Sequence, residues 1–284
     1  MLKSLCVKTN NNRAINYLLE KFNTVNLNSL YISTAKFKLY NNFIIHYSGK
    51  DLDLFYYTFS DIISSLIIDL YEERILKRII SSNYFYFTNA EQKKILDICK
   101  DYLYNEGLDE AIIRTDSIKL SCIEYFVNNK SAVLDGFINF RIKDYIKIID
   151  YVVDLAVNKF VIDKEYNEFV ELLKCYINSK DCNASLVHLI YQNGETILLD
   201  EFKNIITVDD TALNSKYLSD ISFSSNDYAL NTLLTLLPEK IYIHVIDNTQ
   251  DEFINTIKLI FDDKVYICND CNLCKLYRLE KIHK

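Results

Sequence analysis

Residues 134–177 read LDGFINFRIKDYIKIIDYVVDLAVNKFVIDKEYNEFVELLKCYI. Ile142, Ile146, Ile149, Val153, Ala156 and Phe160 recur at the three- and four-residue steps that place side chains on one face of a helix. A dense charged junction follows, Asp163-Lys164-Glu165-Tyr166-Asn167-Glu168-Phe169, and the stripe resumes through Tyr166, Phe169, Val170, Leu173 and Ile177. The pattern predicts a long helix at the end of a helical block over about 51–178, helix paired against helix.

Upstream, the rhythm changes more often. LKSLCVK at 2–8 reads as a short strand, and RAINYLLEKF, preceded by Asn12, as a helix with Ile15, Leu18, Leu19 and Phe22 on one face. LYISTAKFKLY and FIIHY predict a hairpin turning at Asn41-Asn42. Residues 51–83 read as one long helix or two in tandem, with Glu72, Glu73, Arg74, Lys77 and Arg78 as its solvated end. Residues 89–104 form the next helix, capped by Thr88 or Asn89 and stopped at Gly107; another covers 115–127.

Beyond Asn178, SLVHLIY, Asn193-Gly194 and ETILLDEF predict a second hairpin, because Asn-Gly favours the positive φ angles of a type I′ turn. Ser225 or Asn226 caps the helix DYALNTLLTLL, which ends against Pro238. IYIHVID reads as a strand, DEFINTIKLIF as a helix and KVYIC as a strand. The expected fold is α/β (α+β). A small mixed α/β piece and a largely helical N-terminal region make up 1–180, and a C-terminal ββαβαβ module makes up 181–284.

Composition sets bounds. The 284 residues include 22 Tyr, no Trp, one Met, four Gly and one Pro, so turns fall to Asn, Asp and Ser and no flexible linker is evident. A net charge of −7 argues against a global attraction to nucleic acid or anionic lipid. Neither a secretory signal nor an apolar run of about 18 residues is seen, which predicts a cytosolic protein without a membrane span. The glycines form neither GxGxxG nor GxxxxGK[ST], and no GxSxG is present, so those nucleotide loops and that hydrolase elbow are excluded.

DYVVDLAVNKFVIDKEYNEFVELLKCYI, followed by VHLIYQNGETILLD and then YICNDCNLC, resembles the YtxC-like family. The preceding DGFINFRIKDY matches the family's way of entering that helix. The resemblance implies a role connected with sporulation in spore-forming, low-GC Gram-positive bacteria. An accessory or regulatory part exercised through protein contacts fits that label; no reaction comes with it.

Cysteines carry the candidate chemistry. Eight are present, and Cys6, Cys99, Cys122, Cys175 and Cys182 read as scattered thiols of a reducing compartment. Cys268, Cys271 and Cys274 instead form CxxCxxC, a spacing that can aim several thiolates at one metal. It also matches the first three ligands of a bacterial iron–sulfur run, but the fourth would fall at Arg278. Zinc therefore leads iron–sulfur as the cofactor, with His283 as fourth ligand, or Cys175, Cys182 or a partner subunit in its place. Three reduced thiols without metal are the competing reading. A metal- or thiol-dependent redox enzyme is the alternative function, though no thioredoxin-like βαβ context opens at the motif.

Three further features have structural readings. Lys275, Arg278, Lys281 and Lys284 oppose Leu276, Leu279 and Ile282 on a short amphipathic helix, expected to dock with its basic face solvated rather than to bind nucleic acid. Glu165 and Glu168, one helical turn apart, are expected to join Arg141 and Lys164 in a buried or half-buried ion-pair network between helices. His188 and His244 lie in apolar strands, where they would face each other if those strands are neighbours, as hydrogen-bonded core or edge residues.

Overall fold

The structure is a computed structural model that describes residues 2–105, 109–206, 224–247 and 252–279. It divides into two compact units, Met1–Asp163 and Lys164–Lys284, the division falling inside a long helix.

The first unit begins β1 (Lys3–Thr9), α1 (Asn12–Asn23), β2 (Leu30–Lys36) and β3 (Asn41–Tyr47). It continues through α2 (Leu52–Asn83), α3 (Asn89–Tyr104), α4 (Asp109–Asn128), β4 (Ser131–Val133), α5 (Leu134–Phe140) and the start of α6 (Lys143–Asn178). The strands form one sheet in the order β2-β3-β1-β4, antiparallel except for β4, which runs parallel to β1. Leu5, Val7, Phe43 and Ile45 point from its inner face onto Leu18 and Phe22 of α1 and Phe55, Phe59 and Ile63 of α2. Each such side chain taken fully out of water is worth about 1.5–3 kcal/mol, which is why this face is continuous.

Local chemistry sets the ends of these elements. Asp51 caps α2 by accepting the Leu54 N–H at 2.9 Å, and Thr88 and Glu91 form a reciprocal capping box at the start of α3. The 51–83 segment is one unbroken helix. The expected hairpin turn lies earlier than Asn41-Asn42: the Phe37 N–H donates to Tyr40 O at 2.9 Å, and Asn41 and Asn42 pair with Lys36 and Ala35. Strand pairing outweighed the turn preference of asparagine there. Helix α4 begins at Asp109, ahead of the expected 115, and Gly107 lies outside the described residues.

Glu72 corrects the expectation of a uniformly wet end on α2. It is 1 % exposed. Arg114 Nε of α4 and the Tyr145 hydroxyl of α6 each donate to Glu72 Oε2 at 3.0 Å, and the Tyr104 hydroxyl donates to Oε1 at 2.5 Å. Arg114 Nη1 also donates to Leu103 O at 3.1 Å. Burial and then the Glu72 contact push the Tyr104 hydroxyl up to about 12.

The charged junction is a second correction. Residues 162–169 are exposed, and Lys164 stands 4.0 Å from Glu168 as a surface pair. Arg141 lies with its guanidinium 5.5 Å from the Tyr125 ring centroid. The charges follow the solvated face of α6 instead of closing a buried network.

The second unit takes the end of α6, then β5 (Ala184–Gln192), β6 (Glu195–Leu199), α7 (Ser225–Leu236), β7 (Pro238–Val245), α8 (Glu252–Phe261), β8 (Val265–Ile267) and α9 (Asn272–Leu279). This is the ββαβαβ order, in a sheet arranged β6-β5-β7-β8. β5 and β6 are antiparallel around Asn193 (φ 53°) and Gly194 (φ 83°), the type I′ geometry that the dipeptide favours. β5, β7 and β8 run parallel. Val187, Leu189, Ile241 and Ile243 pack against Leu233 of α7 and Ile257 of α8, together with Val170 and Ile177 of α6. The alternate residues turn to the opposite face, where Ile190 and Leu199 meet Leu273 and Cys274. No helix among the described residues is long and apolar enough to cross a membrane.

Candidate metal centre

The cysteine cluster grows from the parallel pairing of β7 and β8. Ile243 is the register partner of Ile267, and the Cys268 N–H continues the ladder by donating to Ile243 O at 2.9 Å. His244 and Cys268 therefore occupy the next rung. Asp270 then takes a left-handed φ of 73°, which turns the chain back over the sheet so that Cys271 leads into α9 and Cys274 lies one turn inside it. Arg278, where an iron–sulfur run would need its fourth cysteine, clamps this turn. Its Nη1 donates to Asp270 Oδ1 at 2.7 Å and its Nε to Ile246 O at 3.3 Å.

The result is a tight group of four potential ligands. His244 Nδ1 stands 3.3 Å from Cys274 Sγ and 3.5 Å from Cys271 Sγ. Cys274 Sγ lies 3.9 Å from Cys271 Sγ and 3.7 Å from Cys268 Sγ, and all four ligand atoms fall within 4.8 Å of one another. Around a tetrahedral zinc with Zn–S of about 2.3 Å and Zn–N of about 2.0 Å, the ligand edges are about 3.8 Å for S···S and about 3.5 Å for S···N. The four separations given above, 3.3 and 3.5 Å for N···S and 3.7 and 3.9 Å for S···S, lie within a few tenths of an ångström of those edges.

The electrostatics also fit a cation. Burial pushes the Cys274 thiol up to about 12, against its backbone hydrogen bond, and the neighbouring Cys268 and Cys271 sulfurs add to the rise. Burial acts to raise Cys271 too, yet N–H groups of Cys274 and Leu273 and a hydrogen bond from Cys268 hold it below the ordinary thiol value. Its sulfur serves where a helix usually carries a capping oxygen. His244, 2 % exposed, is lowered to about 4 by burial and by His188, so its ring is neutral at pH 7, the form a metal binds. A cation at this point would favour the thiolate form of all three sulfurs over the thiol.

The expected residues sort cleanly. Cys268, Cys271 and Cys274 converge, while His283, Lys281 and Lys284 lie outside the described residues. Cys175 and Cys182 are exposed, and Cys182 Sγ lies 3.5 Å from Lys264 Nζ. Cys99 and Cys122 are buried thiols, raised by that burial. His244 comes from the neighbouring strand; strand pairing was the signal, and spacing along the chain could not supply it. The expected approach of the two histidines is present, with His188 Nδ1 3.0 Å from His244 Nε2. His188 and Lys203 also line a cleft of ≈ 500 Å³ that opens beside the cysteines.

Comparison with known proteins gives one family. The model of the YtxC-like family matches residues 57–266, a span that contains His188 and His244 and stops short of Cys268. The chain is similar to Uncharacterized protein YtxC of Bacillus subtilis (strain 168), 18 % identical over 216 residues, covering 72 % of this chain and 74 % of the relative. No solved structure matches.

Proposed function

The chain belongs to the YtxC-like family, and we propose that it is a non-catalytic, zinc-stabilised accessory protein of sporulation that works in the cytosol through protein contacts. The observation that carries the zinc is the convergence of His244, Cys268, Cys271 and Cys274 within 4.8 Å of one another, with four of their separations at 3.3–3.9 Å, close to tetrahedral edges. Four protein ligands fill a zinc ion's sphere, as in closed structural sites, whereas catalytic zinc keeps one position for water or substrate. What such an ion would do here is mechanical. It would tie the end of β8, the Asp270 turn and the first turn of α9 to His244 of β7. The link to sporulation rests on the family resemblance, and a thiolate cluster kept for metal suits a reducing compartment.

The test is metal content of the full chain, purified without chelator or affinity metal, beside Cys271→Ser, His244→Ala and His283→Ala. One equivalent of zinc is expected in the wild type and in His283→Ala, and its loss in the other two. Iron with acid-labile sulfide would replace this reading by the redox enzyme. Absence of metal from the wild type would remove the site altogether.

A further inference from the structure

His188 is not one of the four ligands, yet its ring is set against one of them. His244 turns Nδ1 toward the Cys271 and Cys274 sulfurs, at 3.5 and 3.3 Å, and Nε2 toward His188 Nδ1 at 3.0 Å. We infer that His188 is a positioning residue of the metal site, the hydrogen-bond acceptor that fixes the His244 tautomer presenting Nδ1 to the ion. The inference rests on the zinc reading above and deepens it.

The argument is proton bookkeeping between two facing nitrogens. A metal needs the Nδ1 lone pair of His244, so the neutral ring carries its proton on Nε2. Nε2–H then donates to His188 Nδ1, which leaves the His188 proton on its own Nε2. Ligating histidines commonly give their second N–H to a carboxylate, a carbonyl or water. Here another imidazole occupies that place. The sheet holds it there: His188 and Tyr242 are register partners on the parallel β5–β7 pair, with ring centroids 5.9 Å apart. Residues 242 and 244 project to the same face, which brings the His188 and His244 rings to a 5.2 Å centroid separation. A parallel sheet thus supplies the ligand from one strand and its orienting partner from the next.

Two measurements on the zinc-loaded full chain test this. Competition with a chromophoric chelator should show His188→Ala binding zinc about 10–100-fold more weakly than wild type, the usual cost of losing an outer-shell partner. His188→Asn, whose Oδ1 can take the place of Nδ1, should recover most of that loss. Nitrogen–proton correlation spectra of the wild type should show His244 protonated at Nε2 and metal-bound through Nδ1. Should His188→Ala fail to fold, the wild-type spectrum and the Asn variant still decide. Unchanged zinc affinity in His188→Ala, or binding of His244 through Nε2, overturns the inference and leaves the zinc site standing. A wild type that takes up no zinc overturns both.

Discussion

Each unit brings together a cluster of polar side chains, and the two clusters differ in what stands against their charged and ligating atoms. In the first unit Glu72 is answered within the chain by the Arg114 guanidinium and the hydroxyls of Tyr104 and Tyr145. In the second, three sulfurs and an imidazole nitrogen converge, each of them a potential metal ligand. A buried ion pair surrounded by donors is self-sufficient, and its worth lies mainly in the penalty for breaking it. A cluster of soft donors draws its stability from an ion outside the chain, so folding free energy there becomes binding free energy. On the zinc reading proposed above, chelators should leave the first unit unchanged and loosen the second.

Chelation is the sharpest way to break this contrast. Structural zinc contributes about 10–16 kcal/mol in small zinc-binding peptides, the largest single term expected anywhere in this molecule. Removing the proposed zinc should speed hydrogen exchange at the Cys268 amide, bonded to Ile243 O, and at the Lys275 amide, bonded to Cys271 O. Amides in the middle of α2, around Leu66 and Ile67, should keep their protection. Equal loosening of both regions would show that the units do not differ in this way.

The converse variant attacks the first unit. Arg114→Met leaves the Glu72 carboxylate buried without its cation, a change that costs about 3–5 kcal/mol where one partner of a buried pair is removed. Urea unfolding of the helical unit should shift accordingly while zinc content stays at one equivalent. Replacing Glu72 and Arg114 together by methionine should cost less than Arg114→Met alone, because no charge is stranded. A double variant worse than the single would mean that the tyrosine hydroxyls depend on Glu72 more than Arg114 does.

How much of this was legible in sequence depended on the range of the interaction. The Asn193-Gly194 hairpin and the Thr88 cap are local, decided within four residues, and both stand where their chemistry put them. Glu72 sat in a run of charges on a helix, and only the packing of α3, α4 and α6 separates it from Glu73 beside it. The junction at 163–169 shows the reverse error: its acids suggested a buried network, and the helix turned them to solvent. The cysteine spacing marked the centre, but His244 is joined to it through strand register. A side chain brought in from a neighbouring strand leaves no fixed spacing in the sequence.

Glu73 sharpens the comparison at its weakest end, since it follows Glu72 directly and faces water. It accepts from Lys77 Nζ at 2.5 Å and Lys100 Nζ at 2.9 Å, with 51 % of its side chain exposed. The hydrogen bonds from Lys77 and then Lys100 hold its carboxyl at about 2, below the ordinary 4.5. A depressed carboxyl stabilises the fold above its unfolded value, and the contribution is lost as pH falls from about 4.5 toward 2. Exposure and salt reduce the amount, so Glu73→Gln should lose no more than about 1 kcal/mol at pH 7. Urea midpoints of wild type and variant, compared from pH 7 down, should draw together through that acid window and coincide at its lower end. A gap that persists there would assign Glu73 a packing role, and a gap at pH 7 as large as that of Arg114→Met would erase the distinction between the buried acid and its exposed neighbour.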